Sequence, residues 1–361
     1  MAEHLKKYPN TYELKQSLGS FCKASFVQAF PQRKGIFITN ANQEERADFL
    51  SGLFYENSEL EEIRSEALGT YSKTTLSGFW IQSEDQTYNL VTELEKQSNE
   101  IIDQHKNMFL GKITGNSNKG YKGTIKYEQT QPGRLEFLQG TPRDFDFYIQ
   151  DKHDGKWEII IDGTRSNDAK IMKDWMHGKL PREVNFTTVD QDELNTQQTV
   201  NFFDLLAKKA VSNDWKFNQV KRIVVRKENQ NEDDETDQDV NKTTVLTGIS
   251  QAILEGSDLR NNTFVKQCES SGYRFTAMTY QYEHKKHPYV MEVRAEFKLR
   301  PKLFEVSLEN YHSRSGIDGK LYESTMPATE KMTSLSGFYT AAKILFDDLV
   351  LSTRTPLKSK K

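Results

Sequence analysis

The stretch MEVRAEFKLRPK, Met291 to Lys302, restricts the fold of this chain more than any other. From Glu292 onward every even position is charged: Glu292, Arg294, Glu296, Lys298, Arg300 and Lys302. The odd positions Val293, Ala295, Phe297 and Leu299 are apolar. A period of two marks a strand with one face buried and one face in water, as in a one-sided antiparallel sheet. Beyond Pro301 the phase reverses: Phe304, Val306 and Leu308 are apolar, while Glu305, Ser307 and Glu309 are polar. Taking Pro301 and Lys302 as the centre of a turn sets Arg300 against Leu303, Lys298 against Glu305, Glu296 against Ser307 and Arg294 against Glu309. Leu299 then meets Phe304, Phe297 meets Val306 and Ala295 meets Leu308. This register joins opposite charges; the next tighter one sets Glu296 against Glu305 and is disfavoured for that reason.

The rest of the chain divides by texture. Residues 229–243 lie in an almost wholly polar run with an acidic centre, which begins KENQNEDDETDQDV. Such a segment buries too little apolar surface to offset chain entropy and reads as an acidic flexible linker. Residues 1–108 read as an α-rich domain with one short strand, GIFITN. A helix is expected next, over QEERADFLSGLFY, where Ala47, Leu50, Leu53 and Phe54 share a face. Ser58 and Glu61 form a capping-box pattern for a second helix, and DQTYNLVTELEKQSNEIIDQH predicts a third, long one.

Residues 109–228 read as an α+β domain. Strands are expected over KGTIKYE, GRLEFLQ, DFDFYIQ and KWEIIID, helices around NDAKIMKDWM and TVNFFDLLAKKAV, and a strand over KRIVVRK. In residues 244–361, TTVLTGISQAILEG and DLRNNTFVKQCES predict short helices, and Tyr273–His312 a β-meander. A closing helix presents Leu335, Phe338, Ala342, Leu345 and Leu349 to the core. The expected class is α+β and multi-domain: a helical N-terminal region, a central mixed α+β region, and a C-terminal antiparallel β-meander packed on helices. Leu-Ser-Gly-Phe occurs near Leu76 and near Leu335, but the flanks do not match, so no duplication is inferred.

The net charge is -3 over 361 residues. Any nucleic-acid contact must therefore come from a local basic patch. Cys22 and Cys268 are the only cysteines. That excludes a disulfide framework and a cysteine-based zinc site, and fits a reducing cytoplasm. Neither a signal-peptide core nor a membrane-length apolar run is present, so a soluble, cytoplasmic protein without a membrane partner is expected.

Three kinds of site are candidates. Glu296-x-Lys298 is the half-motif of Mg²⁺-dependent nucleases, with Glu283 or Asp258 as the second acid; magnesium is a cofactor only on that reading. His284, His287 and His312 with Glu283 lack the spacing of a zinc signature. Lys285, Lys286, Arg300 and Lys302, with Tyr280, Tyr282 and Tyr289 between them, suit phosphate contact and base stacking. The loop Gly111–Thr124 adds Lys112, Lys119 and Lys122; Tyr121 stands where a phosphate-loop lysine would come after Gly120, so nucleotide hydrolysis is disfavoured. Arg165 and Ser166 sit at a strand-to-helix crossing that suits an anion, with helix capping as the simpler role. Gly-x-Ser-x-Gly is absent. The expected function is a non-catalytic binding or assembly protein contacting nucleic acid or a protein partner through basic, aromatic-bearing surfaces. The alternatives are the nuclease and a protein–protein scaffold.

Overall fold

The computed structural model describes residues 8–354 except 68–74, 86, 104–106, 118, 130–134, 139–140, 164–165, 213, 228–250, 257–258, 300 and 316–318. The expected linker, Arg165, Asp258 and Arg300 fall outside the described residues, as does the side chain of Ser166. In chain order the elements are α1 (Thr11–Gln16), α2 (Ala24–Gln32), α3 (Gln43–Ser51), α4 (Asn57–Ala67), β1 (Thr75–Ser83), α5 (Leu90–Glu95), β2 (Glu100–Asp103), β3 (Met108–Leu110), β4 (Thr114–Asn116) and β5 (Gly120–Gln129). Next come β6 (Thr141–Asp151), β7 (Lys156–Gly163), α6 (Ser166–Lys179), β8 (Val184–Thr187), α7 (Thr196–Lys209), β9 (Trp215–Lys227) and β10 (Gln251–Glu255). The chain closes with α8 (Thr263–Ser270), β11 (Tyr273–His284), β12 (Tyr289–Leu299), β13 (Lys302–Arg314), β14 (Leu321–Glu323) and α9 (Ala328–Arg354). The class is α+β. No helix among the described residues is long and apolar enough to cross a membrane.

Two compact units are interleaved in sequence rather than arranged one after the other. The first comprises Met1–Ser72, Glu95–Ile113 and Gly123–Phe145; the second comprises Lys73–Leu94, Thr114–Lys122 and Asp146–Lys361. In the first, α1 to α4 gather Leu14, Leu18, Val27, Phe30, Leu50 and Ile63 into one core. Asn10 with Glu13 and Asn42 with Glu45 form reciprocal capping boxes that satisfy the free N–H groups at the starts of α1 and α3. β2, β3 and residues 125–126 of β5 add a small antiparallel patch.

The second unit holds the order β10-β9-β11-β12-β13-β1-β7-β6, all pairs antiparallel. One face is dry. Tyr280, Tyr282, Val293, Phe297, Phe304 and Val306 are buried there with Phe202, Phe203 and Leu206 of α7 and Phe338, Ala342 and Leu345 of α9. The phenol of Tyr280 donates to the Phe203 carbonyl at 2.9 Å, and that of Tyr282 to the Ala207 carbonyl at 2.8 Å. Asn195 and Gln198 box the start of α7.

Several expectations are corrected. GIFITN is not a strand. The long helix after residue 85 is replaced by the short α5, a left-handed Asn99 (φ 63), and β2. The backbone of β2 pairs with β3, which a helix through Ile101 would forbid. α4 opens at Asn57, ahead of Ser58, and the Glu56 N–H is capped by Glu59. GRLEFLQ holds a 3₁₀ turn at Glu136–Leu138 in place of a strand. The segment expected as the helix TTVLTGISQAILEG contains the strand β10, whose Ile253 sits opposite Val224 of β9. TLSGFW is the internal strand β1, flanked by β13 and β7. Gly78 makes that pairing possible, because a Cβ there would lie 2.0 Å from the Ile159 carbonyl oxygen.

The hairpin register is also corrected. β12 and β13 pair Leu299 with Lys302, Phe297 with Phe304, Ala295 with Val306, and Glu296 with Glu305. The turn thus lies one residue earlier than expected, in the tighter register. The dry face explains the choice. It brings the tilted rings of Phe297 and Phe304 together with centroids 5.2 Å apart and sets Phe202 5.1 Å and 5.5 Å from them. Replacing Phe202 by Ala should cost about 3–5 kcal/mol, the usual loss for a buried ring. Urea unfolding checks this against exposed Ile344→Ala, which should stay within about 0.5 kcal/mol of the parent.

Candidate functional site

The opposite face of the same strands is polar because side chains alternate. Reading across β9, β11, β12, β13 and β1, one row is Arg222, Thr279, Arg294, Ser307 and Thr75. The neighbouring row is Val224, Ala277, Glu296, Glu305 and Ser77. β11 thus contributes short side chains between longer ones on β9 and β12. Bulges interrupt the β9–β11 ladder at Phe275/Ala277, Thr279/Tyr280 and Gln281/Tyr282. Each extra residue bends and twists a strand locally. Short residues and bends together leave an open groove of about 450 Å³ over β11.

Arg222, Arg226, Gln251 and Ile253 line one wall; Arg294, Glu296, Lys298, Glu305 and Glu309 line the other. On the β9–β10 side Arg222 pairs with Glu255 at 2.5 Å, while Arg226 donates to the neutral Gln251 amide at 2.8 Å. Among the described residues Arg226 has no carboxylate partner. On the other side Arg294 and Lys298 both donate to Glu296 Oε2, at 2.9 and 2.8 Å. Lys298 also reaches Glu305 Oε1 at 2.9 Å. One ammonium therefore bridges the two glutamates that the register sets face to face, which is how the like-charged pair is tolerated.

These groups are largely buried. Side-chain exposure is 17% for Arg294, 19% for Glu296, 28% for Lys298 and only 6% for Glu305. Burial pushes the Glu296 carboxyl upward, but hydrogen bonds from Arg294 and Lys298 outweigh it and hold Glu296 below its ordinary 4.5. Burial lowers Lys298, yet the Glu305 charge and the hydrogen bonds to Glu296 and Glu305 raise it above its ordinary 10.5. Glu305 Oε2 is buried and accepts no hydrogen bond.

The structure scatters the remaining candidates. Glu283 pairs with Arg314 at 2.7 Å and lies six residues along β11 from Ala277, the partner of Glu296, so the two acids are about 20 Å apart. Among the described residues no group of three or more His, Cys, Asp or Glu side chains is placed to hold a metal ion. His284 Nδ1 accepts the N–H groups of Lys286 and His287, which shapes the β11–β12 turn. Lys285 and Lys286 are exposed at that turn. Lys302 stands at the far end of β12, roughly 35 Å away, and pairs with Asp192. The basic residues of the two turns therefore form no single patch. Tyr280 and Tyr282 are buried, and Tyr289 stacks on Tyr311 at 5.3 Å, so the first two offer no platform for a base.

Lys122 pairs with Asp146 at 2.6 Å and lies over the Tyr148 ring; Lys112 and Lys119 are exposed. Arg222 and Arg226 on β9, with Glu305 and Glu309 on β13, belong to the groove yet are absent from the sites expected on sequence alone. The signal is present in KRIVVRK, where the two arginines flank an apolar run at a four-residue spacing, two strand periods apart.

No protein-family model matches the chain, and no curated protein is significantly similar to it.

Lys298→Met should cost about 2–3 kcal/mol, somewhat below the ~3–5 typical when a fully buried pair loses one partner. The Glu296 contribution has a definite pH sign. Above 4.5 it is complete; as pH falls through the depressed folded value it is lost, because the unfolded chain takes up the proton first. Urea midpoints measured between neutral pH and pH ~3 should therefore fall more steeply for the parent than for Glu296→Gln.

Proposed function

We propose that this chain is a non-catalytic binding component that holds a polypeptide partner of mixed charge in the groove. The observation that carries this reading is the sign of the walls. The β9–β10 wall carries Arg222, which Glu255 offsets, and Arg226, leaving one net positive charge, and the β12–β13 wall, with Arg294, Glu296, Lys298, Glu305 and Glu309, carries one net negative charge. A nucleic-acid strand presents negative charge alone and would meet three carboxylates in the same cleft. A polypeptide can present both signs, and complementary charge gives specificity more than raw affinity.

Two further points support binding over hydrolysis. Arg294 and Lys298 both donate to Glu296, so a metal ion at this carboxylate would meet two cations at close range. The network also carries a desolvation cost that an apolar or hydroxyl-lined sheet face would avoid, so it is poorly explained as a stabilising device. We place this activity in the cytoplasm, where buried thiols outside any disulfide, Cys22 and Cys268, fit a reducing setting.

Fluorescence anisotropy with labelled short peptides of varied Lys, Arg, Glu and Asp content, beside single-stranded and duplex oligonucleotides, tests the reading. Mixed-charge peptides should bind best, and Arg226→Glu should weaken them roughly tenfold or more, as loss and reversal of a complementary charge does. Oligonucleotide binding stronger than that of any peptide, steeply salt-dependent and lost in Arg226→Glu, would replace the protein partner with nucleic acid.

A further inference from the structure

The two facing glutamates leave one acceptor each without a donor. Both cations near Glu296 address Oε2, so Oε1 accepts nothing among the described residues. At Glu305, Lys298 takes Oε1, while Oε2 is buried and unpaired. Glu305 as a residue is only 5% exposed and lines the groove. A buried carboxylate oxygen without a donor is costly, and such an atom in a native structure calls for an explanation. Glu305 lines the cavity beside Glu296, its partner across β12 and β13, and a rotation of its carboxylate would turn Oε2 toward that space.

From this we infer that the Glu296–Glu305 pair is a guanidinium subsite, filled by an arginine side chain of the bound partner. The inference rests on the polypeptide-binding reading and names the group that reading requires on the negative wall. Three features favour guanidinium. Directly paired strand residues have Cβ atoms about 4.5–5.5 Å apart, so their carboxylates offer acceptors to a planar fork with donors on two sides. An ammonium is a point charge, and Lys298 already occupies the point between the two acids. A guanidinium is also more weakly hydrated than an ammonium and enters a half-buried site at lower cost.

A divalent cation is the competing occupant of a carboxylate pair. It would have to sit beside the Lys298 ammonium with only two protein carboxylates. Arginine meets the same neighbour with a charge spread over three nitrogens.

The test uses the full chain and three probes: N-acetyl-argininamide, its neutral isostere N-acetyl-citrullinamide, and magnesium chloride. Amide chemical shifts of Ala277, Glu296, Glu305 and Ser307 are tracked by NMR. The arginine probe should give saturable shifts at these amides, and the citrulline probe none. Glu305→Gln, which keeps the side-chain shape, should weaken the arginine probe roughly tenfold, the usual scale for losing a charge-assisted hydrogen bond. Should that variant fold poorly, the arginine–citrulline contrast in the parent still decides the matter. Equal response to both probes would overturn the inference, as would Glu305-dependent shifts from magnesium alone. Silence with the arginine probe while mixed-charge peptides still bind would sink the subsite and leave the binding function standing. A response to the arginine probe with no peptide binding would keep the subsite and remove the polypeptide reading.

Discussion

The packing of Phe297 and Phe304 against Phe202 decides how the β12–β13 hairpin aligns, and the arrangement of the polar face is a result of it. An aromatic pair is worth about 0.5–1.5 kcal/mol beyond its area burial and this register brings three rings into mutual contact, whereas a cross-strand charge pair is worth roughly 0.2–1. When the two faces of a strand disagree, the dry face therefore wins. Glu296 is carried opposite Glu305 by a decision made on the other side of the sheet, and Lys298 reconciles the two acids afterwards. The groove chemistry is thus a by-product of aromatic packing as much as a design of its own.

This ordering of energies also explains which parts of the structure are legible in the sequence. The alternation in Met291–Lys302 announces a half-buried strand because period two is a direct image of the pleat. Register is not legible, since two alignments differing by two residues keep every apolar group on the same face, and local charge favours the wrong one. β10 passes for a helix because its alternation is short and its partner, β9, lies across the 228–250 segment. β1 is hidden because Gly and Ser dilute its pattern, although Gly78 is there to admit the Ile159 carbonyl. The capping boxes at Asn10, Asn42 and Asn195 are legible in principle as Asn-x-x-Glu or Asn-x-x-Gln.

The site is half legible. Glu296 and Lys298 stand out by their spacing and do line the groove, but the partner acid is Glu305 on the next strand rather than Glu283. The tyrosines of β11 read as exposed aromatics because parity alone does not say which face is the core. They lie on the dry face, and the short side chains of Ala277 and Thr279 on the other face stand between longer ones on β9 and β12. Short side chains on a stretch of strand leave a furrow on that face, and the bulges of the β9–β11 ladder bend the strand beside it.

The two phenol bonds from β11 to α7 carry a consequence of scale. Tyr280 and Tyr282 are two residues apart on a strand, a step of about 6.6 Å, while their acceptors Phe203 and Ala207 are four residues apart on a helix, a step of about 6 Å. Helix and strand run in the same direction with nearly equal steps, like the two scales of a vernier read at coincidence. A shift of α7 by one residue would move both carbonyls off their phenols together, so no intermediate alignment keeps either bond. The position of the helix along the sheet is therefore set in discrete notches, and an insertion or deletion within residues 203–207 would be felt as a whole jump rather than a gradual strain.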